Sequence, residues 1–390
     1  METVIGIVIG RTETDSGKIY PQWDEVRVTL MANSVASTFS FKTMITKENS
    51  HLFSPGSYTK CVVVMLQVDS GGNVQSEEVL ITGYIVNPGI SIQKVPGLNE
   101  IAGMSASGIL NSARYPKDLY PLQYLNTSLT TIARELCNYY DIGLFVHGGA
   151  TEAAAKLYET VECKPEETVY QFLTRIAKPR AITVAHDNRG YLMLILYSGI
   201  TVASSEISQY DQIISMGMSP NMEKVHSSCL VINDNDDVSA VEGENSEIRD
   251  LESIVVNSPF LPKGINIPTT VQIKTDDAEK GNVKLKKLGE IELSEEARNF
   301  PVTIKKEGWD FDKRQVRAGF YLDVEAPSIF LTETKMFIET QTFTQRAKGP
   351  KFMTLSCVLP CVYTKRLPKR SPFNKTIDEF RTYDITEDNK

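Results

Sequence analysis

Four histidines, six cysteines and one acidic loop carry whatever chemistry this chain could perform. The histidines are His51, His147, His186 and His226. No two of them stand at metal-ligand spacing, and neither His-Glu-x-x-His nor paired Cys-x-x-Cys occurs, so each reads as a structural or surface histidine. The cysteines (Cys61, Cys137, Cys163, Cys229, Cys357, Cys361) are scattered and mostly set in apolar surroundings. That is the pattern of buried free thiols in a protein assembled in a reducing cytosol. Cys357 and Cys361 invite pairing, but four residues of strand span ~13 Å. A disulfide needs Cα atoms within about 7 Å, so only a fold-back at Pro360 would bring them together. Asn233, Asn235, Asp237 and Glu244 mimic the first, third, fifth and twelfth places of a calcium loop. Val238 stands where that loop needs glycine, which favours a plain acidic loop.

Phosphate and nucleophile motifs are missing too. Gly148-Gly149-Ala150 is not followed by Gly-Lys-Ser/Thr, and no Gly-x-Gly-x-x-Gly or Gly-x-Ser-x-Gly occurs. Gly103-Met104-Ser105-Ala106-Ser107-Gly108 reads as the small-residue end of a strand. The basic cluster Lys365, Arg366, Lys369, Arg370 could meet phosphates or a protein partner. The expectation is therefore no catalytic, cofactor-binding or metal-ligating residue, and no cofactor.

The totals agree with a structural role. A chain of 390 residues exceeds one ordinary core and implies two to four domains. Its hydrophobic fraction of 41% is that of a globular protein. A net charge of -8 argues against bulk attraction to nucleic acid. No apolar window of about 20 residues exists, so no membrane anchor is expected. The N-terminus lacks the basic flank and cleavage site of a signal peptide.

The elements that would position these residues are mostly strands. Thr3–Ile9, Trp23–Met31, Thr38–Met44, Lys60–Val68, Val79–Val86 and Asn99–Leu110 alternate or run β-branched, which suggests a small barrel or sandwich. The centre differs. Leu129, Ile132, Ala133, Leu136 and Tyr140 make one helical stripe, with Ser128 as N-cap and Gly143 as stop. Val169, Phe172, Leu173, Ile176 and Ala177 make a second, opened by Pro165-Glu166-Glu167 and ended by Pro179. Residues Ala181–His186 and Tyr191–Tyr197 flank the turn Asp187-Asn188-Arg189-Gly190 as a hairpin. Beyond it, Ile213–Met218, Val225–Ile232, Ile254–Asn257, Thr270–Lys274, Phe300–Lys305, Gln315–Glu325, Met336–Phe343 and Phe352–Val362 return to β. Between them, 233–252 is an acidic surface loop, and 276–294 settles neither as helix nor as strand. The predicted fold is mainly β with an α/β insertion. Residues 1–112 form a first β-barrel, completed by about 200–232. Residues 113–199 form the insertion, 233–362 a second β-barrel and 363–390 an extended C-terminal arm.

The central stretch resembles a known family. Leu129-Thr130-Thr131-Ile132-Ala133-Arg134-Glu135-Leu136-Cys137 with Tyr140-Asp141-Ile142 is similar to the insertion domain of Mu-type baseplate hub proteins of contractile-tailed phages. So are Glu167-Thr168-Val169-Tyr170-Gln171-Phe172-Leu173 and the Asn188-Arg189-Gly190-Tyr191-Leu192 hairpin. Outside it, Phe39-Ser40-Phe41, Thr82-Gly83-Tyr84-Ile85, Ile101-Ala102-Gly103-Met104-Ser105, Ile248-Arg249-Asp250, Ala297-Arg298 and Gly308-Trp309 fall in the family's order. The motifs are short; their order and spacing carry the resemblance. It implies two similar β-barrels per chain and a homotrimeric ring at the baseplate centre, related to type VI secretion spike hubs. Three such chains present six barrels, matching a threefold spike to a sixfold tail tube. The implied partners are the tail tube or its initiator, the central spike and the baseplate wedge. DNA passes through the lumen without stable binding. The implied location is the virion baseplate, after assembly in the host bacterial cytoplasm.

Two other classes compete. One is a cell-wall (peptidoglycan) binding or cleaving tail protein, since small αα/β insertions can resemble glycan-binding modules. Cleavage lacks a carboxylate or metal signature. The other is the hub of a phage-derived contractile injection device, which the sequence does not separate from a phage. Residues 363–390, basic and proline-bearing, are expected to reach a neighbouring subunit or the spike.

Overall fold

The computed structural model describes residues 2–9, 18–20, 23–43, 58–89, 99–199, 204–233, 253–262, 264–273, 282–311, 316–346 and 349–373. The acidic loop from 234 to 252, with its calcium-like spacing, lies outside them, as do His51 and residues 374–390.

Seven strands come first: β1 (Glu2–Ile9), β2 (Lys18–Tyr20), β3 (Glu25–Met31), β4 (Thr38–Thr43), β5 (Lys60–Val68), β6 (Val74–Gly89) and β7 (Asn99–Ser105). The insertion follows. It comprises β8 (Gln123–Ser128), α1 (Leu129–Tyr139), β9 (Leu144–Val146), α2 (Thr151–Ala155), β10 (Leu157–Glu162), α3 (Val169–Ala177), β11 (Thr183–His186) and β12 (Leu192–Ile195). After it come β13 (Ser204–Ser208), β14 (Ser215–Met218), β15 (Ser228–Asn233), β16 (Ser253–Asn257), β17 (Pro268–Ile273) and α4 (Asn282–Glu296). The chain closes with β18 (Val302–Glu307), β19 (Tyr321–Ala326), β20 (Leu331–Arg346), β21 (Lys351–Val358) and α5 (Cys361–Thr364).

The fold is mainly β with an α/β insertion, as the pattern predicts. The two β regions are not separate, however. Thirteen strands share one network in the order β14-β18-β21-β20-β3-β4-β7-β6-β5-β1-β2, with β19 on β20 and β13 on β19. Among the described residues, no pairing closes β2 back onto β3. The expected completion of the first region by 200–232 is also corrected. β13 pairs in parallel with β19, and β14 pairs with β18, so both belong to the C-terminal half. β15 instead centres a small sheet of order β16-β15-β17.

β20 is the seam. Its first half, from Leu331 to Phe337, pairs with β19. Its second half, from Thr340 to Arg346, pairs with β3 from Met31 back to Glu25. β21 runs along the other side. The switch of neighbour falls at a register shift between Ile338 and Thr340 in the β20–β21 ladder. A bulge there adds local twist and lets one strand serve two neighbours. Side chains from both halves fill one core, including Ile5, Val28, Phe41 and Val63 from the first and Val302, Leu322, Phe337 and Leu355 from the second.

The helices form where caps and stripes dictate. Ser128 accepts from the Thr131 amide at the start of α1, and Leu129, Ile132, Ala133 and Leu136 are buried. The helix stops at Tyr140 and a left-handed Asp141 (φ 54°), before the expected Gly143. Thr168 and Gln171 make a reciprocal capping box at α3, which opens the helix one residue past the predicted acids. α4 occupies the stretch that periodicity left open. Leu285 and Leu293 cover Cys229, Val231 and Val256 of the small sheet, while α5 packs on the helix from elsewhere. A helix buried from two directions loses the one-sided stripe by which helices are recognised. Gly289 is where it meets the sheet most closely, since a Cβ there would stand 2.7 Å from Val256.

The expected arm from 363 is corrected over its described part. Tyr363 is fully buried, its ring tilted against Phe337 at 4.0 Å and edge-on to Tyr197 at 5.1 Å. Pro360 starts a helical turn instead of extending the strand. Leu367 and Phe373 still pack against the core. Replacing Phe337, the ring shared by this stack, with alanine should cost about 3–5 kcal/mol. Chemical denaturation of Phe337→Ala against the parent chain measures it; a loss below about 1 kcal/mol would show that the stack is not integral to the fold.

Candidate functional site at the junction of the domains

The residues that could carry chemistry are dispersed. Among the described residues, no three of His, Cys, Asp and Glu gather where they could hold a metal. All six cysteines are buried and free, Cys357 and Cys361 included. Burial pushes the thiols up, to about 12 for Cys61, Cys137, Cys357 and Cys361 and about 11 for Cys163 and Cys229. They are therefore protonated, poor nucleophiles at neutral pH. His147 accepts from the Gly149 amide and so uses the Gly148–Ala150 segment as a turn. His226 bonds through Nδ1 to Glu296 at 2.6 Å. Gly103 is a packing position, because a Cβ there would strike the Phe39 ring.

What the structure does gather is a joint. The β11–β12 hairpin of the insertion rests on the first β region. His186 Nδ1–H donates to the Ser34 carbonyl at 2.7 Å, and its Nε2 accepts from the Ser37 hydroxyl at 2.8 Å. The carbonyl can only accept, which fixes the neutral tautomer. Ser107 donates its amide to the Gly190 carbonyl, and Asn188 Nδ2 donates to the Val79 carbonyl. Gly190 holds φ +81° with Thr82 O only 2.5 Å from where a Cβ would lie, so glycine alone fits the turn tip. Tyr170 of α3 adds a bond to the Asn33 carbonyl. Beside the hairpin a cleft of about 520 Å³ separates the β halves, lined by Met31, Met65, Met193, Trp309, Phe311 and Gln341 among others. The Arg317–Glu78 ion pair (2.7 Å) spans the two halves beside it.

A charged cluster makes a second joint. Glu295 of α4 pairs with both Arg298 and Lys365, and Glu339 of β20 accepts from Arg298 at 3.0 Å and from the Tyr363 hydroxyl at 2.7 Å. Lys365 also donates to the Val362 carbonyl. Burial lowers the Lys365 pKa despite Glu295, and burial raises that of Tyr363. Burial also opposes the charge on Arg298, but Glu295 and Glu339 outweigh it and hold its pKa up. Lys178 of the insertion reaches Glu292 of α4 at 2.8 Å. Of the basic cluster singled out in the sequence, Lys365 is thus an internal cation, while Arg366, Lys369 and Arg370 are exposed. Glu339 and Tyr363 show no local signal because they partner each other across 24 residues, whereas Arg298 has Glu295 three residues before it as well as the distant Glu339.

What this geometry brings together is a set of joints between the parts of the chain. Residues 117–195 match the family model described as baseplate hub protein gp44-like, second domain. The insertion is similar to the second domain of that hub protein. Its match covers β8 through β12, the same elements that dock through His186 and Gly190. The fold of the whole chain is similar to solved tail proteins. The 43 kDa tail protein of prophage MuSo2 from Shewanella oneidensis has a TM-score of 0.68 at 18% identity, over 92% of this chain and 99% of that one. The tail protein from Neisseria meningitidis MC58 has 0.69 at 16%, over 94% and 100%. A chain of the Francisella PdpA-VgrG complex has 0.53 at 10%, over 96% and 60%. No curated protein matches the chain.

Two predictions test the joints. Burial depresses the His186 pKa, so its share of stability is present above the unfolded value near 6.5 and lost as pH falls through the folded value. Protection of the β11–β12 hairpin amides, taken relative to their intrinsic exchange rates at each pH, should therefore fall between pH 7.5 and 5.5, and His186→Gln should flatten that response. An unchanged profile would show that the docking does not depend on a neutral ring. The charge cluster should be asymmetric. Glu295→Ala strands a buried Lys365 and should cost about 3 kcal/mol, whereas Lys365→Met, which removes a desolvated charge, should cost under about 1 kcal/mol. Equal losses in denaturant titrations would contradict this.

Proposed function

We propose that the chain is a non-enzymatic hub subunit of a phage tail baseplate, three copies of which form a ring. The ring joins a sixfold tail tube to a threefold spike and leaves a central passage for DNA. The observation that carries this reading is the combination of a match to a gp44-like hub domain with a fold shared, over more than nine-tenths of both chains, with two tail proteins, one of them from a prophage.

The internal architecture supports it. Each copy brings two β lobes of similar size, β1–β7 on one side of the seam and β13, β14 and β18–β21 on the other. Three copies thus offer six lobes, which is how a closed threefold assembly can face a sixfold neighbour. The proposed partners are the tail tube or its initiator, the spike and the wedge proteins, with assembly in the host cytoplasm and residence in the virion. The acidic balance of the chain, -8, suits a lumen that DNA must cross without adhering. A hub in a phage-derived injection device is the second reading, supported by the fold shared with the VgrG complex chain.

Analytical ultracentrifugation of the full chain should show a species of three times its mass, and negative-stain images should show a threefold ring. A monomer at the highest attainable concentration would contradict the proposal.

A further inference from the structure

We propose that residues 316–320 are a strap over the cleft between the two β lobes. Gln341 grips it from the second lobe, Arg317 latches it to the first, and salt releases the latch. The inference does not depend on the ring.

The grip is a side chain acting as a strand. Gln341 of β20 is buried, beside Phe343 and Met353 on the wall of the cleft. A buried amide among apolar side chains is costly unless its polar atoms are bonded. Here they are bonded to the strap. Nε2 donates to the Val316 carbonyl at 3.0 Å, and Oε1 accepts from the Ala318 amide at 3.3 Å. The other Nε2 hydrogen meets Met353 Sδ at 3.0 Å. The two backbone groups flank Arg317 as a parallel strand's partners would. Gly319 then donates to the Ile338 carbonyl at 2.8 Å, and the Phe320 carbonyl accepts from the Ile338 amide at 2.9 Å. Every one of these bonds belongs to the second lobe.

The latch is of another kind. Held on both sides, Arg317 is turned outward and reaches Glu78 of β6, in the first lobe, at 2.7 Å. The two side chains are 50% and 40% exposed. An ion pair so exposed shifts an equilibrium by at most about fivefold and is screened by salt. Ions do not reach the Gln341 bonds. One end of the strap is therefore fixed and the other reversible. The cleft suits such movement. Met31 and Met65 of the first lobe and Met193 of the insertion face Trp309 and Phe311 of the second. Methionine adapts to changed contacts at little cost. Lys351 also bridges the lobes, to Glu2 at 3.0 Å and the Thr3 carbonyl at 2.6 Å. It is unchanged in every variant below, so the contribution of Arg317 is separable.

Acrylamide quenching of Trp309 fluorescence tests the strap in the full chain carrying Trp23→Phe, which leaves Trp309 as the single indole. Between low and molar sodium chloride, quenching should rise about two- to fivefold. Arg317→Gln should be quenched at low salt as strongly as its parent at high salt, and should lose the salt response. Arg317→Glu combined with Glu78→Arg should recover both protection and response. Gln341→Met, of similar size, should expose Trp309 at every salt concentration. Circular dichroism and thermal melting verify that each variant is folded. A Trp309→Phe chain reports Trp23, outside the cleft, and should show no salt response. Equal quenching of Arg317→Gln and its parent, a salt response that survives Arg317→Gln, or a matching response at Trp23 would each overturn the strap.

Discussion

The ladder between β3 and the second half of β20 holds the molecule together. It pairs Glu25 through Met31 with Arg346 through Thr340, about three hundred residues apart in the chain. Closing a loop of that length costs entropy that grows only slowly with length, but nothing local repays it. The repayment comes from the shared core, where Val26 and Val28 meet Phe343 and Leu355. Two further joints accompany this seam. The insertion docks on the first β region through His186 and Gly190. The charge cluster around Glu339 ties β20 to the C-terminal segment, and Lys178 of the insertion reaches α4 beside it.

Glu339 shows how geometry and chemistry combine. It stands at the register shift where β20 exchanges β19 for β3. Its carbonyl accepts from the Ala32 amide, on the first β region, while its carboxylate accepts from Arg298 and Tyr363 of the second. One residue thus ties the first lobe, the turn after α4 and the C-terminal segment at the point where the strand changes partner. Buried charges of this kind give modest net stability, because desolvation offsets attraction. We infer that the cluster serves to fix the relative placement of the parts.

Much of this was legible in the residues. The stripes Leu129–Leu136 and Val169–Ala177 lie on α1 and α3, because an amphipathic helix on a single core announces itself by period. Most strands of the first region fall where alternation puts them. The partner of β20 was not legible, since alternation says which face a residue takes and not which strand lies beside it. β13, Ser-Ser-Glu-Ile-Ser, is too polar to signal a strand and exists because β19 pairs with it. The segment after Tyr363 reads as an arm by composition. It is packed because Glu295, seventy residues earlier, neutralises Lys365, and because Phe337 and Tyr197 receive the Tyr363 ring. The candidate site was not legible, because the gathered groups are joints made mostly by partners distant in the chain, such as His186 with Ser34 and Tyr363 with Glu339.

Native-state hydrogen exchange at the backbone amides of β3 and of Thr340–Arg346 addresses the continuous sheet most directly. If the two β lobes are one unit joined at this seam, those amides exchange only with global opening and share one free energy, equal to that of unfolding in denaturant. If the β3 amides open at a lower free energy than those of β20, or the lobes melt in separate transitions, the seam is an incidental contact and the single-sheet account fails.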